Sequence, residues 1–164
     1  MQKYNIKNET NYADISIKFC SHLNMFKKIK IGSEIGNLRV VENVIDNMIN
    51  EIGINQDNYG KILVSTLEAV NNAIIHGNKS DLNKLVKIEI FFRNNNLKVT
   101  VTDEGKGFKP SEVPDPTKPE NIENITGRGV FLMSNLADSI KFNKKGNSVT
   151  MTFQNIISQN PKSE

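Results

Sequence analysis

Glu68 and Asn72 stand four residues apart in the segment Leu67-Glu68-Ala69-Val70-Asn71-Asn72-Ala73-Ile74-Ile75-His76-Gly77. On a helix this spacing leaves the two side chains about 40° apart around the axis, so both can enter one pocket. A carboxylate and an amide oxygen are hard ligands suited to Mg²⁺, and the carboxylate can also take a proton from a hydroxyl. Spacing alone also fits a solvated helix face, but the otherwise apolar run favours a site. Asp103-Glu104-Gly105-Lys106-Gly107-Phe108 follows directly on a strand pattern. An aspartate at a strand end can accept hydrogen bonds from an exocyclic amine, and glycines two apart let the backbone bend and approach a ligand. A tight Asp-Gly turn uses the same residues. Gly127-Arg128-Gly129 opens a helix pattern, where unpaired N–H groups and the helix dipole favour a phosphate, although a flexible hinge has the same composition. There is no Gly-x-x-x-x-Gly-Lys-[Ser/Thr] run, no metalloprotease helix and no zinc spacing. His22 and His76 are isolated, which suits capping or packing better than catalysis.

The elements that must hold these residues can be read from periodicity. Ile15, Ile17 and Phe19 alternate as in a short strand, and Phe26-Lys27-Lys28-Ile29-Lys30-Ile31 alternates as in a first core strand. Ser33 is the expected N-cap of a helix that buries Ile35, Leu38, Val41, Ile45, Met48, Ile49 and Ile52, with Gly53 at its end. A second helix is expected over 58–76, with Ile62, Leu63, Leu67, Val70, Ala73 and Ile74 inward and Gly77 as its stop. Val86, Ile88, Ile90 and Phe92, then Leu97, Val99 and Val101, form a hairpin pattern around Asn94-Asn95-Asn96. Pro110, Pro114, Pro116 and Pro119 fall in the unpatterned stretch 104–126, which reads as an active-site lid. A helix is expected over 127–138 through Val130, Phe131, Met133, Leu136 and Ala137, then a closing hairpin of Ile140 and Phe142 against Val149, Met151 and Phe153. The expected fold class is α/β, in the α+β sense: a two-layer sandwich with helices on one face of a mixed, mostly antiparallel sheet. Residues 1–25 read as a polar, dispensable extension, 26–157 as the domain and 158–164 as a polar tail.

A length of 164 residues is one domain, and 37% apolar with 24% charged residues excludes collagenous, mucin-like and wholly disordered classes. No apolar run reaches the roughly 18 residues of a membrane span. Cys20 is the only cysteine and the N-terminus lacks a signal-peptide pattern, so the expected compartment is the cytoplasm. The net charge of +3 is concentrated at the start, where residues 1–31 hold six lysines against Glu9 and Asp14. A nearly neutral body with three arginines disfavours direct nucleic-acid binding.

In this order and at these separations, the three segments resemble the Bergerat-type ATP site of the GHKL superfamily, the histidine-kinase-like ATPases. The resemblance is closest to the anti-sigma factor serine-protein kinases and covers roughly 27–153. Glu68-x-x-x-Asn72 matches the N-box, Asp103-x-Gly105-x-Gly107 the first glycine box, and Gly127-Arg128-Gly129-Val130-Phe131-Leu132-Met133 the second. Val113-Pro114-Asp115-Pro116-Thr117-Lys118-Pro119-Glu120-Asn121 resembles the lid of this branch. The resemblance implies Glu68 as general base, Asn72 as the Mg²⁺ ligand and Asp103 as reader of the adenine amine. It implies further ATP contacts at Gly105, Gly107, Thr126, Gly127, Arg128, Gly129, Val130 and Ser148. Where the family has Gly-Thr, this chain has Gly146-Asn147-Ser148, so that threonine's adenine contact passes to Asn147 or Ser148 or is weakened. The implied activity is ATP-dependent phosphorylation of an anti-anti-sigma STAS-type partner together with sequestration of a sigma factor, by a homodimer that acts on neither nucleic acid nor membrane. The alternatives are a nucleotide-gated anti-sigma or adaptor module with slow or absent transfer, which would need no base at Glu68, and an ATPase-like domain serving another signalling partner.

Overall fold

The computed structural model describes residues 2–8, 11–19, 24–109 and 128–157. Thr126, Gly127, most of the expected lid and the tail after residue 157 lie outside the described residues. Strands β1 (Gln2–Asn8), β2 (Asn11–Phe19), β3 (Asn24–Gly32), β4 (Leu85–Arg93), β5 (Asn96–Thr102), β6 (Ser139–Phe142) and β7 (Ser148–Phe153) form one sheet in the order β1-β2-β3-β4-β5-β7-β6. All six pairings are antiparallel. Helices α1 (Leu38–Ile52), α2 (Gln56–Asn72) and α3 (Arg128–Leu136) cover one face. This is the expected two-layer sandwich. Among the described residues, no helix is long and apolar enough to cross a membrane.

The period-2 pattern sets which face of each strand is buried. Ile29, Ile88, Val101 and Val149 lie in one cross-strand row and are at most 7% exposed. Burying an aliphatic side chain of this size stabilises the fold by about 1.5–3 kcal/mol. The same parity forces Lys27 inward beside Ile29, where its Nζ donates to Glu51 Oε2 of α1 at 2.9 Å, while Phe26 is turned to the opposite face. The β4–β5 hairpin turns at Asn94 and Asn95, both at positive φ, as the asparagine run predicts.

Three element expectations are corrected. Ser33 does not cap α1; a 3-10 turn over Ile35–Asn37 intervenes, and the buried Ser33 donates to the Lys84 carbonyl from both its hydroxyl, at 2.9 Å, and its backbone N–H, at 3.2 Å. The second helix begins earlier, capped by the Asn55 side chain accepting from Asn58 N–H at 2.9 Å, and its last turn widens into a π turn over Ala73–Gly77. On α3, Met133 is buried, but Phe131 is 40% exposed and not part of the core. Gly53, at φ 75°, ends α1 as expected.

Residues 2–8 and 11–19 are not outside the sheet: β1 pairs with β2 and β2 with β3, which extends it beyond β3, with Ile15 opposite Ile29. Buried side chains of β3, β4, β5, β7 and the helices form one core cluster. Deleting residues 1–24 is expected to leave nucleotide binding intact and shift the melting temperature little. A truncated protein that aggregates, seen by light scattering, would show instead that β1 and β2 protect the β3 edge.

Candidate functional site

The site forms where four backbone segments approach more closely than side chains would allow. At Gly77, the end of the π turn, a Cβ would lie 2.6 Å from both carboxylate oxygens of Asp103. At Gly105 it would run into the Gly77 carbonyl, at Gly107 into that of Lys145 and at Gly146 into that of Phe108. The end of α2, the loop after β5 and the β6–β7 turn are thereby in backbone contact, and only glycine fits at these points. A π turn places its residues differently from a regular α-turn, and such bulges are frequent at functional sites.

Gly129, in the first turn of α3, brings in the remaining segment. A Cβ there would stand 2.8 Å from Asn72 Nδ2 and 2.9 Å from Glu68 Oε2. Glu68 and Asn72 thus share one helix face, as their spacing predicts, and that face meets the α3 N-terminus. The first backbone N–H groups of a helix have no intrahelical partner, so an anion near Gly129 and Val130 finds free donors.

These segments enclose a cavity of about 1190 Å³, ample for a nucleotide. Asn72, Asp103, Gly105, Gly107, Gly129, Val130 and Ser148 line it. Glu68 stands against Gly129, and Arg128 is exposed at the start of α3. Val101, Met133 and Phe142 supply apolar wall, and the rings of Phe108 and Phe142 meet edge to face with centroids 5.3 Å apart. Lys79, Lys84 and Lys145 supply positive potential for an anionic ligand. Sequence periodicity gives no reason to single out these lysines.

Asp103 is half-buried. Burial pushes its carboxyl above the ordinary carboxylate value, and this outweighs the opposing hydrogen bond from Gly105 and the nearby Lys145 and Lys84 charges. One oxygen accepts from Gly105 N–H at 2.8 Å, leaving the second able to accept from a ligand amine. Of the two candidates for the missing threonine contact, Ser148 pairs its hydroxyl with Thr102 Oγ1 at 2.8 Å, and Asn147 donates from Nδ2 to the Asp103 carbonyl at 2.7 Å.

Comparison with known proteins places this geometry in a family. Residues 31–153 match the model of the histidine kinase-like ATPase domain. The anti-sigma F factor of Oceanobacillus iheyensis is 32% identical over 117 residues, which cover 67% of this chain and 79% of that protein. The serine-protein kinase RsbW of Bacillus subtilis is 25% identical over 132 residues, 76% of this chain and 82% of that one. A crystal structure of RsbU and RsbW domains from Mycobacterium tuberculosis superposes with a TM-score of 0.53 at 18% identity, covering 81% of this chain and 33% of that one, and so shares its fold. By its sequence match over most of the domain and the fold just described, the chain belongs to the histidine kinase-like ATPase domain family, among the relatives of anti-sigma factors and their serine-protein kinases.

Proposed function

We propose that this chain is an ATP-dependent serine-protein kinase and anti-sigma regulatory factor, which phosphorylates an anti-anti-sigma STAS-type partner and sequesters a sigma factor. The observation that carries the reading is that Glu68 and Asn72 meet at Gly129, and that Asn72 and Gly129 line the cavity that also holds Asp103. The names of the Oceanobacillus and Bacillus relatives support the same reading. That relationship also motivates the homodimer and the cytoplasmic setting.

In this mechanism Asp103 accepts a hydrogen bond from the adenine amine while the apolar wall covers the base. The N–H groups at the start of α3 meet the phosphates, and Gly129 leaves room for them beside Glu68 and Asn72. Glu68 takes the proton from the attacking serine hydroxyl. Mg²⁺ in phosphoryl-transfer sites keeps several waters and is held by one or two protein oxygens together with the substrate phosphates. Asn72, which lines the cavity, would offer its Oδ1 to the ion, and Mg²⁺ would supply neutralisation of phosphate charge. Incubation with labelled ATP and a STAS-type protein encoded nearby should label a serine of that protein, and a sigma factor should co-purify with the chain. ATP binding without transfer to any candidate partner would favour the nucleotide-gated binding module.

Asp103→Asn separates recognition from stability. It presents a donor to an amine, which should weaken ATP binding by about 1–3 kcal/mol, roughly 5- to 150-fold, with little effect on GTP. Because the folded-state pKa is raised above 3.8, the carboxyl's contribution to stability is fully present below that value and is lost as pH rises through the folded pKa. At neutral pH the ionised group therefore opposes folding, so the variant should melt no lower than the parent. Acidification into the range just above pH 3.8 should weaken ATP binding to the parent more than to the variant. Calorimetry with both nucleotides checks the first point, and equal ATP affinities would remove Asp103 from the reading.

A further inference from the structure

The loop that carries Asp103 has each of its first three N–H groups bonded to a fixed partner. Asp103 N–H donates to the Asn147 carbonyl at 3.0 Å, Glu104 N–H to Asn78 Oδ1 at 2.8 Å, and Gly105 N–H to Asp103 Oδ1 at 2.8 Å. Two asparagines from distant parts of the chain grip it from either side. Asn78, fully buried, uses the other end of its amide to donate to Ser33 Oγ at 2.7 Å and the Leu85 carbonyl at 3.0 Å. Asn147 donates from Nδ2 to the Asp103 carbonyl at 2.7 Å, while its Oδ1 accepts from Asn143 Nδ2 at 2.9 Å. Asn143 is held in turn, because its Oδ1 accepts from Gly146 N–H at 2.7 Å and Asn147 N–H at 3.1 Å. The relay leaves Asn147 one amide orientation in which its donor faces Asp103.

We propose that Asn147, oriented by Asn143 and opposed by Asn78, is a positioning residue that fixes Asp103 in the geometry that distinguishes an adenine from a guanine ring. This rests on the nucleotide-kinase reading and adds to it the role of the residue that stands where the family has threonine. Asn147 acts through Asp103 and need not touch the ligand. A hydrogen bond that holds a reading group in place is felt only by the ligand that group reads, because misplacing the carboxylate forfeits the bond to an amine. A guanine, which offers a carbonyl at the corresponding ring position, has no such bond to lose.

The test is a double-substitution cycle on the full chain, with ATP and GTP affinities measured by calorimetry. Asn147→Ala should weaken ATP binding about five- to tenfold and leave GTP within about twofold, so that the ATP:GTP ratio falls. Asn143→Ala, which frees the Asn147 amide without removing it, should lower the ratio in the same direction by a smaller factor. In an Asp103→Asn background, Asn147→Ala should have no further effect on ATP, since the group it positions is gone. Equal weakening of both nucleotides, or the same loss in both backgrounds, overturns the positioning role while leaving Asp103 as the reader. No effect of Asp103→Asn itself would instead remove Asp103 as the reader, and a parent protein that binds no ATP would sink the nucleotide reading, so the failures are distinguishable. Melting temperatures of each variant separate a loosened turn from a loosened domain.

Discussion

Replacing Glu68 with Gln should slow transfer to the partner serine by about 10²- to 10⁴-fold while ATP binding stays within about three-fold. The carboxylate is half-buried on α2, with Oε2 at 2.9 Å from where a side chain on Gly129 would begin. Gln occupies the same volume, so the packing of α2 on α3 and the room for phosphates are retained. Its amide has no lone pair basic enough to take a hydroxyl proton, and this is the function being removed. Adenine recognition at Asp103 and phosphate contacts at the α3 N-terminus are made by other groups, so binding persists. Single-turnover transfer and calorimetry on one preparation distinguish the outcomes. A variant that transfers as fast as the parent would show that Glu68 is not the base, and binding lost in parallel with transfer would make it a ligand contact.

The parts legible in the sequence are those whose signal is local. Alternation gave the parity of β4 and β5 because Val86 to Phe92 and Leu97 to Val101 are each buried on one side only. The Glu68–Asn72 spacing placed both on one face because a regular helix leaves no other arrangement. The unread features depend on contacts distant in the chain. Ser33 looks like a cap because serine precedes an apolar helical period, yet its hydroxyl bonds to the Lys84 carbonyl and accepts from Asn78 Nδ2, partners 51 and 45 residues away. Lys27 is buried because its neighbours Ile29 and Ile31 fix the strand's parity and Glu51 of α1 is there to receive it. The Asn147 brace lies between. Asn143 followed three residues later by Gly146 is a turn signature, with the asparagine side chain accepting from the turn's own N–H groups. Nothing local says that the turn reaches back to Asp103.

The glycines make the largest prediction about stability, because one substitution should act with opposite signs at two positions. Gly146 is buried, its φ is 75°, and a Cβ there would collide with the Phe108 carbonyl. Gly146→Ala meets two separate penalties: about 1–2 kcal/mol for a non-glycine residue in the left-handed region, and about 1–3 kcal/mol for forcing backbone apart in a packed site. A loss of roughly 2–5 kcal/mol is expected. The separation should also undo the contact between Gly107 and the Lys145 carbonyl on the same turn, so nucleotide affinity should fall even at temperatures where the variant is folded. Gly60 is the control. It lies exposed within α2, and a Cβ there would meet nothing within 4 Å. Gly60→Ala should therefore stabilise the protein by about 0.5–1 kcal/mol, since alanine gives up less backbone entropy on entering a helix. Denaturant unfolding of both variants, with an unchanged dependence on denaturant, measures the two values. Gly146→Ala as stable as the parent would mean that the turn can withdraw from Phe108 at no cost, and the close backbone approach could then not be what shapes the cavity.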